Sequence, residues 1–577
     1  MQLEHFSNLV EMFFARAHTR GGAPFLWHKQ DGRWQPIGWN AVARDVASLA
    51  AALRALGLEP GDRVMLVSEN RPEWAIADLA IMAAGCVTVP AYTSNTERDH
   101  AHIVGNSGAR AAIVSTARLA RPLLAALVNA SCEIVIGIEP LSGESVGTLR
   151  LHDWATLLAA HPADVDACAA KANFRREDLA CLIYTSGTGG APRGVRQHHG
   201  AILHNAAGAM AIIAGDFPHE EEVFLSFLPL SHSYEHSAGL YLPIGLGAQI
   251  YYAEGLEKLG GNIEEVRPTI MIVVPRLFEL LRARIMKGIE KQGRFPMWLL
   301  ARALELDGRR KRLADRPLDL LLDVTIRKSV RKRFGGRMKA LVSGGAPLNP
   351  EVGRFFRALG LTLLQGYGQT EAGPIISVNR PRAGITMESV GPPLADTDVR
   401  IAEDGEILVY GENVMQGYWE NDAETARVLI DGWLHTGDVG RIDGAGRIHI
   451  TDRKKDLIVN DKGDNISPQR VEGILMLEPE IAQAMVVGDR RPYLAGLIVP
   501  DKEWVATLPA GADVQRAIQA AVDRVNANLS VIEKVRRVLI ADEPFTIENN
   551  ALTPSLKVRR HVLRERYGDR LDALYAR

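Results

Sequence analysis

Residues Thr185-Ser186-Gly187-Thr188-Gly189-Gly190-Ala191-Pro192-Arg193-Gly194 gather hydroxyls, glycines and one guanidinium into ten positions. Glycines let a backbone fold tightly around an anion and turn its N–H groups inward. Thr185, Ser186 and Thr188 add hydroxyl donors, and Arg193 adds a fixed positive charge. Such a loop predicts a cradle for a polyphosphate. It is not a Walker A loop, which ends in Gly-Lys-Ser/Thr where this chain has Arg193-Gly194-Val195. Nor is it a dinucleotide fingerprint, because Pro192 stands where the third glycine of Gly-x-Gly-x-x-Gly belongs.

Other stretches carry chemistry of their own. Leu341-Val342-Ser343-Gly344-Gly345-Ala346-Pro347 and Leu364-Gln365-Gly366-Tyr367-Gly368-Gln369-Thr370-Glu371 read as strands ending in glycine turns. In open α/β sheets ligands sit at the carboxyl ends of strands. There glycines admit a flat ring to the backbone, Tyr367 offers a stacking face, and Glu371 is the hard oxygen ligand that Mg²⁺ prefers. In Trp433-Leu434-His435-Thr436-Gly437-Asp438 the carboxylate suits a diol such as ribose, and the charge run Asp452-Arg453-Lys454-Lys455-Asp456 follows. Near the end, Thr553-Pro554-Ser555 is a loop signal that presents Lys557 before a basic helix.

Taken in this order, the motifs resemble those of the adenylate-forming superfamily, the AMP-dependent acyl and aryl ligases. The resemblance runs from about residue 20 to the C-terminus, and the acyl-pocket-like segment 224–236 is most similar to the bacterial long-chain fatty acyl-CoA synthetases. It implies ATP-dependent conversion of a fatty acid to acyl-AMP with loss of pyrophosphate, then transfer to CoA. A medium-chain or aryl acid, a carrier-protein acceptor, or a silent nucleotide or lipid binder are the alternatives. The phosphate loop would comprise Thr185, Ser186, Gly187, Thr188, Gly190 and Arg193. Adenine would lie between Gly345 and Tyr367, with Gly344, Ala346, Gly366 and Gly368 also at the nucleotide, Thr370 near the α-phosphate and Glu371 on Mg²⁺. Asp438 would take the ribose, with Arg453 beside it. Lys557 would be the mobile catalytic lysine, Lys455 the hinge, Gly463 part of the thiol face, and His232 and Tyr234 walls of the acyl site. The chain departs from the family pattern at Gly189 (usually Thr), Arg193 (usually Lys), His236 (usually Arg in the long-chain branch) and Val459 (often Lys).

These groups need a scaffold. Apolar runs at 63–68, 87–90, 111–114, 133–137, 179–184 and 270–274 alternate with helical spacing, as at 39–56 and 75–84. That alternation predicts an α/β protein of parallel sheets with helices on both faces. From about residue 395 short strands with close turns suggest a small antiparallel β subdomain. A small α+β domain then follows, mobile by resemblance, with expected boundaries 1–451 and 452–577.

The chain has 577 residues, 47% of them hydrophobic, and a net charge of −2, so nothing global points to nucleic acid. Four cysteines without a Cys-x-x-Cys pair argue against zinc or a disulfide frame and suit a cytoplasmic protein. No basic region followed by an apolar stretch opens the sequence. The uncharged segment 236–253 is broken by Pro243 and several glycines, and reads as a buried helix running into a strand. Residues 276–339 hold 19 Lys and Arg against 7 Asp and Glu, with Trp298, Leu299 and Leu300 among them. That basic segment suggests peripheral contact with the inner face of an anionic membrane, with a solvated helical face or a site for the anionic nucleotide of CoA as equal alternatives. A homodimer is a further expectation.

Overall fold

The computed structural model describes residues 3–128, 130–143, 145–185, 191–307, 312–454, 457–462, 464–509, 511–553 and 557–576. Two eight-stranded sheets form the bulk of the chain. In the first, Leu363–Gly368, Ala340–Ser343, Ile270–Val273, Val223–Ser226, Gln249–Tyr252 and Pro24–Gln30 run parallel side by side. In the second, Leu179–Thr185, Val87–Ala91, Arg63–Val67, Ala111–Val114, Ile134–Gly137 and Leu149–Asp153 do the same. These strands are nearly continuous apolar runs because both faces are covered by helices.

The sheets are parallel, as the sequence predicts, except at their edges. Each is closed at both edges by an antiparallel strand. At one edge Pro24–Gln30 and Arg33–Gly38 join through Asp31-Gly32, both with positive φ (49° and 75°), the geometry of a two-residue hairpin. At another, Leu179–Thr185 pairs with Arg193–His198, with Thr185 opposite Arg193. The glycine-rich loop therefore links two antiparallel strands instead of running from strand to helix.

A third sheet, Thr397–Ile401, Glu406–Gly411, Leu429–Ile430, Trp433–Ile442 and Ile448–Arg453, is wholly antiparallel. Its last strand carries the chain to Arg453, two residues into the expected C-terminal domain. Beyond it, Ile481–Val487, Leu494–Pro500 and Val535–Ile540 form a small sheet, with helices Pro468–Leu475, Val514–Asn526 and Arg560–Ala573 around it. Its core residues, such as Val471, Ile498, Ile518 and Val522, are all fully buried. This is the α/β architecture with an antiparallel β subdomain and a small α+β domain that the sequence predicts.

Segment 236–253 is a buried π-helical turn (His236–Tyr241), a helix (Leu242–Leu246) and a strand (Gln249–Tyr252) in which buried Ile250 and Tyr252 alternate with partly exposed Gln249 and Tyr251. Among the described residues no helix is long and apolar enough to cross a membrane.

Candidate active site

The carboxyl ends of the first sheet's strands, the third sheet and the C-terminal domain surround a cavity of about 1710 Å³. Lining it are Thr185, Arg193, His232, Tyr234, Gly344, Gly345, Ala346, Gly366, Tyr367, Gly368, Thr370, Glu371, Asp438, Arg453 and Lys557. The fold thus gathers in one place residues that sequence alone could only align in order. Ser186, Gly187, Thr188, Gly190, Lys455 and Gly463 lie outside the described residues.

Asp438 is buried in strand Trp433–Ile442, directly opposite Arg453 in the neighbouring strand. The Tyr367 hydroxyl donates to its Oδ2 at 2.7 Å, and the Arg453 Nε–H to its Oδ1 at 3.0 Å. Burial and the adjoining Asp438 charge push the Tyr367 phenol well above its ordinary range, so it stays a donor. The Asp438 carboxylate thus ties Tyr367 and Arg453 together at the cavity wall. Gly345 sits at φ 80°, where a side chain would be strained. At Gly344 the limit is space: a Cβ would lie 2.8 Å from the Tyr234 ring.

Thr370 and Glu371 begin a short turn after strand Leu363–Gly368. The Thr370 hydroxyl shares a 2.9 Å hydrogen bond with Ser233, and its carbonyl accepts from Gln197 at 2.5 Å. Glu371 accepts a hydrogen bond from the Tyr418 hydroxyl at 2.9 Å. Arg193 lies over the ring of the same Tyr418, 4.7 Å from its centroid, and pairs with Glu424. Tyr418 and Glu424 both line the cavity and were not singled out in the sequence. The aromatic pair Tyr418-Trp419 after Gly417 is a signal that marked the first of them. A single carboxylate, Glu371, is a fitting donor for Mg²⁺, which commonly takes one or two carboxylates and completes its shell with water and substrate phosphates.

His232 caps the short helix Ser233–Glu235, its Nδ1 accepting the Tyr234 N–H at 3.1 Å. Burial, and secondly the charge of Lys557, lower its pKa to about 3. The ring is therefore neutral, and with Nδ1 used as an acceptor its proton is assigned to Nε2. The same effect places Lys557 close enough for its charge to be felt at His232. Lys557 is tied to Thr553 in the C-terminal domain. Its N–H donates to Thr553 Oγ1 at 3.0 Å, and its carbonyl accepts the Thr553 N–H at 2.8 Å.

From this polar end an apolar arm runs along the sheet. Side chains of a strand alternate between faces. On one face Gly344, Val342 and Ala340, with Ile272, Ile270 and Leu364, line the cavity. On the other, Leu341, Met271, Val273 and Leu363 pack into a core with Phe278, Phe355 and Phe356. Helix His199–Asp216 closes the arm with Ala209, Ile212, Ile213 and, just past its end, Phe217. Tyr234, whose hydroxyl donates to the Val342 carbonyl at 2.9 Å, stands at the entrance. These helix and sheet side chains also touch one another, Ile212 with Ala340 and Leu364 in one cluster and Ala209 and Ile213 against Ile270 and Ile272 in another, so the arm is narrow. From Gly344 to Ala340 the strand rises about 13 Å, which accommodates roughly ten methylenes.

His236 does not line the cavity. It is fully buried, with Nε2 2.9 Å from Asp78 Oδ2, and Tyr241 donates to the same oxygen at 2.6 Å. The departure from Arg thus leaves a buried pair with Asp78, a structural arrangement. Glu235 faces away from the cavity too. Burial pushes its carboxyl up to about 8, against hydrogen bonds from Ser226 and the Phe227 N–H. All four cysteines are buried free thiols, and among the described residues no cluster of three or more His, Cys, Asp and Glu is placed to hold a metal.

The family model of AMP-binding enzymes matches residues 13–419, and that of the AMP-binding enzyme C-terminal domain matches 455–577. The chain belongs to the AMP-binding enzyme family. More particularly, it is 31% identical to the long-chain-fatty-acid–CoA ligase FadD15 of Mycobacterium tuberculosis, over 99% of this chain and 97% of that one. It is 28% identical to long-chain-fatty-acid–CoA ligase 5 of Rattus norvegicus, over 99% and 90%. Among solved structures, the A domain of a carboxylic acid reductase from Segniliparus rugosus, in complex with AMP and a co-purified carboxylic acid, superposes with a TM-score of 0.81. It shares 21% identity and covers 99% of this chain and 94% of that one. The anthranilate CoA ligase AuaEII gives 0.76 at 20% identity, with full coverage of both.

Proposed function

We propose that the chain activates a long-chain fatty acid with ATP, releasing pyrophosphate, and passes the acyl group to CoA. The observation that carries the chain length is the apolar arm from Gly344 to Ala340 and Phe217, which leads away from a polar chamber. An aryl acid needs no such arm. The likeness to FadD15 supports the same reading.

In this reading adenine lies against Gly344-Gly345-Ala346 and Tyr367, and the ribose diol meets Asp438, oriented by Tyr367 and Arg453. The triphosphate faces Thr185, Arg193 and Thr370, with Thr188 and its neighbouring glycines completing the loop. Glu371 would hold Mg²⁺, which when bound neutralises phosphate charge. The substrate carboxylate lies between His232 and Lys557 and attacks the α-phosphorus; the bond to pyrophosphate breaks. No general base is needed, because the carboxylate is already ionised at neutral pH. Two anions must meet, so positioning and charge neutralisation carry the rate. Lys557 supplies positive charge between them, while neutral His232 adds none and offers its Nε2–H. For the second step the domain 452–577 turns about Lys455, withdraws Lys557, and brings the Gly463 loop to the acyl-AMP, whose carbonyl carbon the CoA thiol then attacks as AMP leaves.

The reaction is tested by incubating the protein with ATP, Mg²⁺ and acids of graded length, with and without CoA. Acyl-CoA and AMP from C12–C16 acids are expected. Preference for benzoate-like acids would sink the long-chain reading, and acyl-AMP that never passes to CoA would favour a carrier-protein acceptor.

The basic segment 276–339 supports a membrane contact, with one revision. Leu299 and Leu300 are buried; the side chains that face solvent are Phe295 (61% exposed) and Trp298, stacked on each other. Neighbours in sequence point to different sides of a helix. Further along the chain Leu320 (66%) and Val324 (57%), one turn apart, are exposed, with Arg316 and Lys328 four residues to either side. Part of the densest charge run, 308–311, lies outside the described residues. An apolar stripe edged by cations suits an anionic bilayer. The protein is expected to co-sediment with vesicles containing phosphatidylglycerol, less so at high salt. The variant carrying Leu320→Asp and Val324→Asp should remain in the supernatant; equal binding of that variant would rule the surface out.

A further inference from the structure

The cation of the phosphate loop already has a partner. Arg193 pairs with Glu424 while its guanidinium stacks on Tyr418. Both charged side chains are largely withdrawn from water, and both line the cavity. Glu424 is held from several sides. Its own N–H donates to Asn421 Oδ1 at 3.2 Å, and its second oxygen meets Arg427 at 3.2 Å. Burial alone would raise its pKa, but the charges of Arg193 and Arg427 outweigh it and keep the carboxylate ionised.

The stretch that carries Glu424 is itself braced. The Arg196 N–H donates to the Gly417 carbonyl at 3.0 Å and the Trp419 N–H to Gly194 at 2.7 Å, which ties it to the strand of Arg193. The Met415 N–H donates to the Glu371 carbonyl at 2.9 Å, and the Tyr418 hydroxyl to the Glu371 side chain. One short segment therefore sets the position of both the phosphate-loop cation and the carboxylate assigned to Mg²⁺. It also presents a fixed negative charge where a polyphosphate would seek Arg193.

We propose that Glu424 is a positioning residue that competes with pyrophosphate for Arg193, so that the loop lets its product go. This rests on the reading of Arg193 as a phosphate ligand. Before nucleotide enters, Glu424 and Tyr418 hold the guanidinium in place. When the α–β bond breaks, Glu424 takes the guanidinium back, and pyrophosphate leaves against a like charge. An arginine can grip phosphate with two parallel hydrogen bonds. A neighbouring carboxylate limits that grip without removing the cation.

The test is calorimetric binding of magnesium pyrophosphate to the full chain, together with pyrophosphate inhibition of acyl-CoA synthesis. Glu424→Gln should bind pyrophosphate about tenfold more tightly and be inhibited at correspondingly lower concentration, with turnover falling as product release slows. Glu424→Ala should move in the same direction, which excludes an effect special to glutamine. Arg193→Ala should weaken binding, and adding Glu424→Gln to it should change nothing further. If Arg193→Ala weakens pyrophosphate while Glu424→Gln leaves it unchanged or weaker, the competition is disproved and the role of Arg193 stands. If Arg193→Ala has no effect, the reading of Arg193 fails and the proposal with it.

Discussion

Lys557→Ala should lower the rate of acid-dependent pyrophosphate release by about 10²–10³-fold, a loss of roughly 3–4 kcal/mol of transition-state stabilisation. Lys557 lines the cavity near enough to His232 to depress its pKa, and His232 itself is neutral. At this end of the cavity, facing the acyl site, Lys557 is the cation the adenylation step is assigned. Arg453 is engaged with Asp438, and Arg193 with Glu424. The loss should fall on one half-reaction. Transfer of the acyl group from supplied acyl-AMP to CoA should stay within a few-fold of wild type, because Lys557 withdraws before that step. Measuring both half-reactions separately checks this. Equal losses in both would mean that the substitution disturbs the domain rather than the chemistry.

Ala340→Phe should convert a long-chain preference into a medium-chain one. Ala340 is buried among Ile212, Leu364, Val378 and Leu394 at the deep end of the arm, about 13 Å along the strand from Gly344. A phenyl ring there closes the last third of the channel. Each methylene that loses its burial forfeits about 0.8 kcal/mol, so excluding about four costs roughly 3 kcal/mol, or about 10²-fold in kcat/KM for a C16 acid. A C8 acid should be used as before. Overpacking costs about 1–3 kcal/mol of stability. Ala209→Phe, reaching into the arm from the opposite helix, should therefore show the same selectivity from a different backbone. Unchanged chain-length profiles in both variants would place the acyl chain elsewhere.

Much of the scaffold was legible because its periodicity is local. Strand Ala111–Val114 appears as read, and helix Trp39–Ala55 within a residue. Boundaries slipped where a local signal was overlooked. The helix expected at 75–84 begins at Pro72, a residue suited to the first helical turn. The antiparallel edge at Pro24–Gly38 was announced by Asp31-Gly32. Asp438, Glu371 and Lys557, singled out by their motifs, all line one cavity.

What stayed hidden depends on pairs far apart in sequence. Arg193 and Glu424 are 231 residues apart, and His236 and Asp78 are 158 apart. Nothing near Glu424 announces that it faces the loop cation. The apolar arm was invisible for another reason. Ala209, Ile213, Val342 and Ala340 have the same spacing as ordinary core residues, and a channel is a lack of packing that no one-dimensional pattern records. Trp298, Leu299 and Leu300 were grouped as neighbours, although a helix sends adjacent residues to different sides.

The central claim is that this cavity joins a long-chain carboxylate to the α-phosphate of ATP. The most direct measurement is a single turnover of the full chain with ATP, Mg²⁺ and a C16 acid in the absence of CoA. One equivalent of pyrophosphate should be released per enzyme, with acyl-AMP retained on the protein and converted to acyl-CoA and AMP once CoA is added. Release of ADP and phosphate, or no nucleotide cleavage with a long-chain acid while a short or aryl acid is activated, would contradict it.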